Sequence, residues 1–186
     1  MAEVNFYEIW NLILASIYFI LPAYAANMAP VIAAKIKAPG AIPVSKKYLG
    51  EHKTWRGIYS AYLFALAALA LQSLLQNYEA FSSVSMLNYQ NINIFLYAFL
   101  MGIGAITGDT VKSFFKRLIG IKPGGIFFPF DQIDFVLGSY IFCLPVFILP
   151  WQNLLALLAV TPLLHFLSNV LAYFLGFKKV WWGDQA

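Results

Sequence analysis

Five long apolar runs limit what this chain can fold into. The hydrocarbon core of a membrane is about 30 Å thick, and a helix needs about 20 residues to cross it. Runs that approach or reach this length lie at 7–33, 58–76, 92–108, 133–149 and 152–176. Stretches such as LFALAALALQSLL do not alternate in polarity, so they are not barrel strands, and helices are the remaining way to satisfy the backbone in lipid. The sequence therefore predicts an all-α protein with five transmembrane helices.

The composition excludes a soluble globular domain. Hydrophobic residues make up 61% of the 186 residues and charged residues only 11%, whereas about a quarter of the residues in soluble domains are charged. Cys143 is the single cysteine and has no partner for an internal disulfide. The N-terminus, MAEVNFYE, has acidic residues where a secretory signal has Lys or Arg, so we expect the first run to be retained as a helix. One membrane domain over residues 1–186 accounts for this pattern.

The basic residues are confined to one side of the predicted membrane. Five helices place 34–57, 111–132 and 177–186 on the same side, and these segments hold all 12 Lys and Arg residues. Because basic loops face the cytoplasm, this distribution predicts an external N-terminus and a cytoplasmic C-terminus. Topology and attraction to anionic lipid headgroups account for most of these residues without any further role.

The second cytoplasmic segment contains a group of residues that topology alone does not require. Four of them follow helical spacing at i, i+3, i+4 and i+7: Asp109, Lys112, Ser113 and Lys116. They line one face if the third helix continues this far, and Arg117 borders that face. A carboxylate, a hydroxyl and several cations suit a polyphosphate with a metal ion. The alternative is an anchoring helix at the interface, in which Asp109 pairs with Lys112 or Lys116.

Two further carboxylates precede the fourth apolar run. Asp131 and Asp134 are three residues apart, which on a helix separates their side chains by roughly 5 to 6 Å. At that distance they repel one another by about 3 kcal/mol at an effective dielectric constant of 20. A shared Mg²⁺ reverses this cost, since it prefers oxygen ligands and keeps waters for substrate phosphates. The alternative is that Asp131 caps the helix and the helix dipole stabilises Asp134, but capping does not explain the nearby cations, Lys122 among them.

These residues resemble the signature of the membrane cytidylyltransferases that make CDP-activated lipids. The CDP-diacylglycerol synthases of that family have the pattern GD-x-x-E-S-x-x-KR-x4-KD, followed after a variable loop by DR-x-x-D or DR-x-D. The matching positions here are Gly108, Asp109, Ser113, Lys116, Arg117, Lys122, Asp131 and Asp134. Three positions differ: Lys112 replaces the glutamate, Pro123 the aspartate after the lysine, and Gln132 the arginine.

A second motif makes the chain similar to one branch of that family, the archaeal CDP-archaeol synthases. The segment KTWRG follows the first predicted helix and consists of Lys53, Thr54, Trp55, Arg56 and Gly57. The chain length and the five predicted helices are also similar. The resemblance implies transfer of CMP from CTP to an ether lipid phosphate, 2,3-di-O-geranylgeranylglyceryl phosphate, yielding CDP-archaeol and pyrophosphate with Mg²⁺.

The resemblance also implies roles for the matched residues. Mg²⁺ would be held by the carboxylates of Asp109, Asp131 and Asp134, which together with Lys122 form the expected catalytic set. CTP would be bound by residues of both loops: His52, Lys53, Thr54, Arg56, Gly57, Lys112, Ser113, Lys116 and Arg117. The expected partners are CTP, the ether lipid phosphate and membrane lipid, with no nucleic acid. The expected location is the cytoplasmic face of the cell membrane.

Two other functions fit the sequence. A CTP-dependent polyprenol or phytol kinase also joins a cytidine nucleotide to a membrane substrate, but it transfers the γ-phosphate and releases CDP. A small transporter or lipid-binding protein would account for five helices and a polar stripe without any reaction. Labelled CTP separates the two enzymes, because only cytidylyl transfer releases pyrophosphate and places cytidine in the lipid.

Overall fold

The computed structural model of this protein describes residues 5–45, 53–122 and 125–174. These residues form six helices, named α1 to α6 in chain order: Phe6–Lys35, Trp55–Leu75, Glu79–Ser82, Ile94–Leu118, Phe130–Cys143 and Trp151–Phe174. Across the described ranges there is no strand, only an isolated bridge between Pro43 and Thr54. The predicted all-α fold is therefore confirmed.

Three helices, α1, α2 and α4, are long and apolar enough to cross a membrane. The apolar part of α6, Trp151–Leu167, is shorter, and α5 has 14 residues, which is about 21 Å at 1.5 Å per residue. The chain is a multi-pass membrane protein. The total of five transmembrane helices and the orientation in the membrane stay predictions.

The fourth apolar run differs most from its prediction. The sequence predicts a single helix through 133–149, but α5 ends at Cys143 and residues 144–150 form a turn followed by irregular structure. Pro145 has no N–H to donate, and its ring would clash with the carbonyl four residues earlier. The proline therefore lies just after the end of the helix rather than inside it.

The irregular segment after α5 packs back onto the protein. The ring of Phe147 lies 5.4 Å from that of Phe19 in α1, measured between centroids, and Leu149 is buried. Backbone without helical hydrogen bonds is tolerated at membrane depth where it lies against protein. This part of the fourth run thus remains attached to the bundle without extending α5.

Polar side chains cap the first turns of α1, α2 and α4, with donor–acceptor distances of 3.1 to 3.3 Å. The caps are Asn5, Thr54 and Asn93. Each accepts a backbone N–H that has no partner within its helix. Because Thr54 belongs to the KTWRG segment, part of that motif serves to start α2.

The tightest helix crossing is that of α4 with α5, which form the most extensive helix pair. Glycines occupy the crossing point, and a Cβ at Gly108 would overlap the carbonyl oxygen of Asp134. A Cβ at Gly138 would likewise overlap the carbonyl oxygen of Gly104. Small residues four apart, such as Gly104 and Gly108, permit this close approach of membrane helices. The crossing holds the last turns of α4 beside the first turns of α5.

Candidate active site

The last turns of α4 have a polar face and an apolar face. Lys116 is buried and Lys112 half-buried against α5, whereas the apolar side chains are exposed: Val111, Phe114, Phe115 and Leu118. Ionisable residues in membrane helices almost always face the interior of the bundle. Since α4 continues to Leu118, the helical spacing predicted for these residues is confirmed.

Lys112 is the centre of the polar cluster. Its Nζ lies 3.1 Å from Asp109 Oδ1, 3.2 Å from Asp131 Oδ1 and 2.8 Å from Asp134 Oδ2. One ammonium group therefore contacts a carboxylate of α4 and two carboxylates of α5. The side chains of both α5 carboxylates are almost fully buried, at 4% and 6% exposure. The close crossing of α4 and α5 thus brings three predicted metal ligands around one point.

Lys116 fixes the connection between α4 and α5. Its Nζ lies 2.8 and 3.0 Å from the two carboxylate oxygens of Asp131 and donates to the carbonyl of Gly125 at 2.5 Å. Asp131 Oδ2 also accepts the N–H of Phe127 at 2.6 Å. The proposed capping role of Asp131 is wrong, because the N-cap of α5 is Pro129 and no side chain caps the helix. Lys116 and Asp131 instead hold the connecting loop.

Asp131 lies just before the fourth predicted transmembrane helix, and its surroundings favour the charged form of its carboxyl group. Burial raises the pKa of its carboxyl group, but the hydrogen bonds from Lys116 and from the Phe127 N–H, together with the charge of Lys112, outweigh burial and lower that pKa below its ordinary value. Asp131 is therefore ionised at neutral pH and can pair with both lysines.

The first loop reaches the same cluster through Lys53. Its ammonium group forms an ion pair with Asp109 Oδ2. Lys53 directly precedes Thr54, the cap of α2, so the start of that helix determines where the lysine lies. The two separate sequence motifs therefore meet at Asp109. The alternative in which Asp109 pairs with a lysine of its own helix is also true in part, because Lys112 contacts it.

The rest of the KTWRG segment supports the first loop. Arg56 Nη1 donates to the carbonyl of Ala38 at 3.3 Å. The N–H groups at the start of α2, from Trp55 to Gly57, also have partners within the protein at 2.9 to 3.3 Å. Free amides at a helix N-terminus commonly bind phosphate, but these are already used. The predicted contacts of this segment with CTP stay predictions, and His52 lies outside the described residues.

Three predicted phosphate-binding residues make no contact with the three carboxylates in the part of the chain that the structure describes. Arg117 is exposed, and its Nη1 donates to the carbonyl of Ile121 at 2.5 Å. Lys122 is also exposed, while Ser113 is half-buried. These residues lie at the end of α4 and in the loop after it, so their roles toward phosphate stay predictions.

The donor set of the cluster suits Mg²⁺, because carboxylate oxygens are the hard ligands that this ion prefers. Among residues 5–45, 53–122 and 125–174, however, no three His, Cys, Asp or Glu side chains form a group that could hold a metal ion as they stand. The Lys112 ammonium lies between the carboxylates and contacts each of them. The carboxylate oxygens are therefore chemically suited to Mg²⁺, and the Lys112 ammonium lies at the point where they converge.

Two features of the site escaped the sequence reasoning. The glycine crossing that brings Asp134 to Lys112 is one, and its signal was the four-residue spacing of Gly104 and Gly108. The other is the burial of the Gln132 carboxamide, at the position where the signature of the CDP-diacylglycerol synthases has arginine. Its carboxamide oxygen is buried and has no hydrogen-bond partner among the described residues. The substitution in the signature sequence was the only signal for it.

Comparison with known proteins relates this chain to one family. The model of the CarS-like CDP-archaeol synthase family matches residues 9–182. The CDP-archaeol synthase of Pyrococcus furiosus is 34% identical over 91% of this chain and 98% of its own length. That of Methanocaldococcus jannaschii is 33% identical over 93% of this chain and 99% of its own. The family match includes both loops that supply the cluster.

A solved structure is similar to this chain as well. It is that of an intramembrane enzyme for archaeal membrane lipids biosynthesis, with a TM-score of 0.64 and 28% sequence identity. The similarity covers 83% of this chain and 92% of that chain. The helical arrangement described above is therefore shared with a membrane enzyme.

Proposed function

This chain belongs to the CarS-like family of CDP-archaeol synthases, and we propose that the cluster around Lys112 is its active site. The protein is a membrane enzyme that transfers a cytidylyl group from CTP in archaeal lipid synthesis. The observation that carries the proposed site is the meeting of three carboxylates and three lysines from α4, from α5 and from the residue before the N-cap of α2. So many charges in a membrane protein are costly and indicate a functional site.

The proposed acceptor is the phosphate of an ether lipid, 2,3-di-O-geranylgeranylglyceryl phosphate. A phosphate oxygen of the lipid attacks the α-phosphorus of CTP, a new P–O bond forms, and the bond to the β-phosphate breaks to release pyrophosphate. A phosphomonoester is largely dianionic at neutral pH, since its second pKa is about 6, so no side chain has to remove a proton. The residues of the cluster are left to neutralise charge and to align the two phosphates.

Asp109 and Asp134 are the proposed principal ligands of Mg²⁺. Asp131 would take the smaller share, because Lys116 and the Phe127 N–H hold its carboxylate to the connecting loop. When bound, the ion supplies charge neutralisation for the triphosphate. Asp109 and Asp134 would orient the nucleotide through it, while Lys116 keeps Asp131 and the connecting loop in place.

The cations around the cluster are proposed to bind phosphates. Lys112 and Lys53 both contact Asp109, a proposed metal ligand, so they would contact the phosphates next to the reacting centre. Arg117 and Lys122 are exposed on the connection between α4 and α5 and would contact the outer phosphates. The site is proposed to face the cytoplasm, where CTP is available, because the segments around it carry most of the basic residues.

The product distinguishes this function from the alternatives. We expect purified protein, given CTP labelled in the cytidine and an unsaturated ether lipid phosphate, to release pyrophosphate and to place the label in the lipid. Asp134→Asn should prevent both, whereas Glu79→Gln, a change of an exposed residue in α3, serves as the control that keeps full activity. Release of CDP together with a phosphorylated alcohol would instead assign the protein to the lipid kinases.

A further inference from the structure

Among the described residues, the charges of the polar cluster balance. It combines equal numbers of acidic and basic side chains: Asp109, Asp131 and Asp134 with Lys53, Lys112 and Lys116. Charges removed from water are tolerated when they are paired and costly when they are not. The balance of three carboxylates and three ammonium groups therefore allows these side chains to lie together in a membrane protein.

The three lysines do not contribute to this balance in the same way. Lys53 contacts only Asp109 among the three carboxylates, and Lys116 contacts only Asp131. Lys112 is the one lysine in the described cluster that contacts all three, at 2.8 to 3.2 Å. Its ammonium thus stands where the oxygens converge, which is the place that a cation shared by these carboxylates would take.

We propose that Lys112 occupies the divalent-cation site of the free enzyme and that Mg²⁺ enters it only together with the triphosphate of the nucleotide. The inference rests on the proposed function, since it takes these carboxylates as the metal ligands. A divalent ion added to the neutral cluster would leave two uncompensated positive charges in a place shielded from water. The phosphates of CTP offset those charges and give the displaced ammonium group a new partner.

The side chain of Lys112 is suited to this exchange. A lysine ends in a compact charge on a flexible four-carbon stem, so it can move between neighbouring anions without a change in the helix. Binding of the ion and binding of the nucleotide then favour each other, and by linkage the effect is reciprocal. The enzyme would thereby avoid holding a metal ion at its carboxylates when no CTP is present.

Binding of Mn²⁺ to the full-length protein in detergent tests this inference without measuring activity. Electron paramagnetic resonance measures the amount of Mn²⁺ bound by the wild type, by Lys112→Met and by Lys37→Gln. The first measurements are made without nucleotide. We expect Lys112→Met to bind Mn²⁺ alone at least about tenfold more tightly than the wild type, because its cluster has a net negative charge and an open centre. Lys37→Gln loses an exposed lysine in the loop after α1 and should resemble the wild type.

Additional variants and conditions distinguish failure of the role proposed for Lys112 from failure of the proposed active site. Adding Asp134→Asn to Lys112→Met should remove the tighter binding, and a gain that persists would overturn both proposals. Tight binding of Mn²⁺ alone by the wild type that Asp134→Asn abolishes would overturn only the role of Lys112. If Lys112→Met does not fold, the wild type still decides, since Mn²⁺ should bind it tightly with CTP present and weakly without it.

Discussion

The two aspartates of α5 lie one helical turn apart and share Lys112, but their other partners differ. Asp131 pairs with Lys116 through both carboxylate oxygens and also accepts the N–H of Phe127. Asp134 pairs with Lys112 at 2.8 Å, and its second oxygen accepts the N–H of the next residue, Phe135. Asp131 is thus tied to the loop before α5, whereas Asp134 is tied mainly to the centre of the cluster. Substitution of each residue should therefore affect different properties.

Asp131→Asn should destabilise the protein by about 1 to 3 kcal/mol at neutral pH, because buried hydrogen bonds to a charged partner are weakened. The pKa of this carboxyl is lowered in the folded protein. Its contribution to stability is therefore complete above the unfolded value of about 3.9 and is lost as the pH falls through the folded value. Thermal unfolding of both proteins across the pH range should show their difference narrowing below about pH 4. A constant difference would contradict this assignment.

Asp134→Asn should lower stability less than Asp131→Asn does, because Lys112 keeps its contacts with Asp109 and Asp131. It should lower kcat by about 100-fold or more, the usual cost of losing a group that stabilises developing charge. The amide has the shape of the carboxylate and can still accept the Phe135 N–H. Steady-state rates with saturating CTP, compared with thermal unfolding of the same preparation, measure the two effects. Nearly full activity would remove Asp134 from the proposed site.

The contacts of Lys112 show what sequence can predict about single residues. Helical spacing correctly predicted that it shares a face with Asp109 and Lys116. The sequence assigned Lys112 to phosphate, and in the structure it contacts three carboxylates. Two of these belong to another helix, and their distance from Lys112 depends on how closely α4 and α5 cross. That crossing distance is a property of packing, which helical periodicity does not specify.

At the scale of helices, the crossing of α4 and α5 determines the geometry of the site. Gly108 directly precedes Asp109, and the backbone of Asp134 lies against it. The same contact that joins the helices thus also sets the separation between Asp134 and the Lys112 side chain. Packing and catalysis are linked at this point, so a change of one methyl group here should alter both.

Gly108→Ala should push α5 away from α4, because its Cβ would overlap the Asp134 carbonyl oxygen. We expect a loss of about 1 to 3 kcal/mol in stability from overpacking and a loss of about 100-fold in activity from a displacement near 1 Å. Gly102→Ala is the matched control on the face toward α2, where the nearest atoms lie 3.1 Å from the added Cβ and need shift only slightly. Equal losses in both variants, measured by thermal unfolding and turnover, would show that the α4–α5 crossing has no special role.

The ends of the helices were predicted well where the polarity changes and poorly where it does not. The predicted runs 7–33 and 58–76 agree with α1 and α2 within three residues at both ends, and the run 152–176 begins within one residue of α6. The third apolar run ends at 108, and α4 continues past it to Leu118 with the helical spacing predicted for Asp109 to Lys116, because its last turns bury a polar face against α5. In the fourth run hydrophobicity continues past Pro145, whereas α5 ends at Cys143, two residues before that proline.

At the scale of the whole molecule, the two loops that carry the motifs meet at one end of the bundle. The ion pair of Lys53 with Asp109 joins the start of α2 to the end of α4, and Lys112 joins α4 to the start of α5. Glu79, in α3, follows the other end of α2. Since α2 is long enough to cross a membrane, the site and Glu79 should lie on opposite sides of it. The one-sided distribution of Lys and Arg predicts that the site is on the cytoplasmic side.

Single cysteines test this orientation in intact cells that produce the protein. Cys143 is buried and should not react, so Cys143→Ser provides a background without thiols. In that background, Glu79→Cys should react with a membrane-impermeant maleimide added outside, because α3 is predicted to be external. Lys37→Cys and Lys122→Cys, one in each motif-bearing loop, should react only after the membrane is opened.

Reaction of Lys37→Cys and Glu79→Cys from the same side would mean that α2 does not cross the membrane. Labelling of both loop cysteines from outside would keep the fold but reverse its orientation, and the proposed site would then have no access to cytoplasmic CTP.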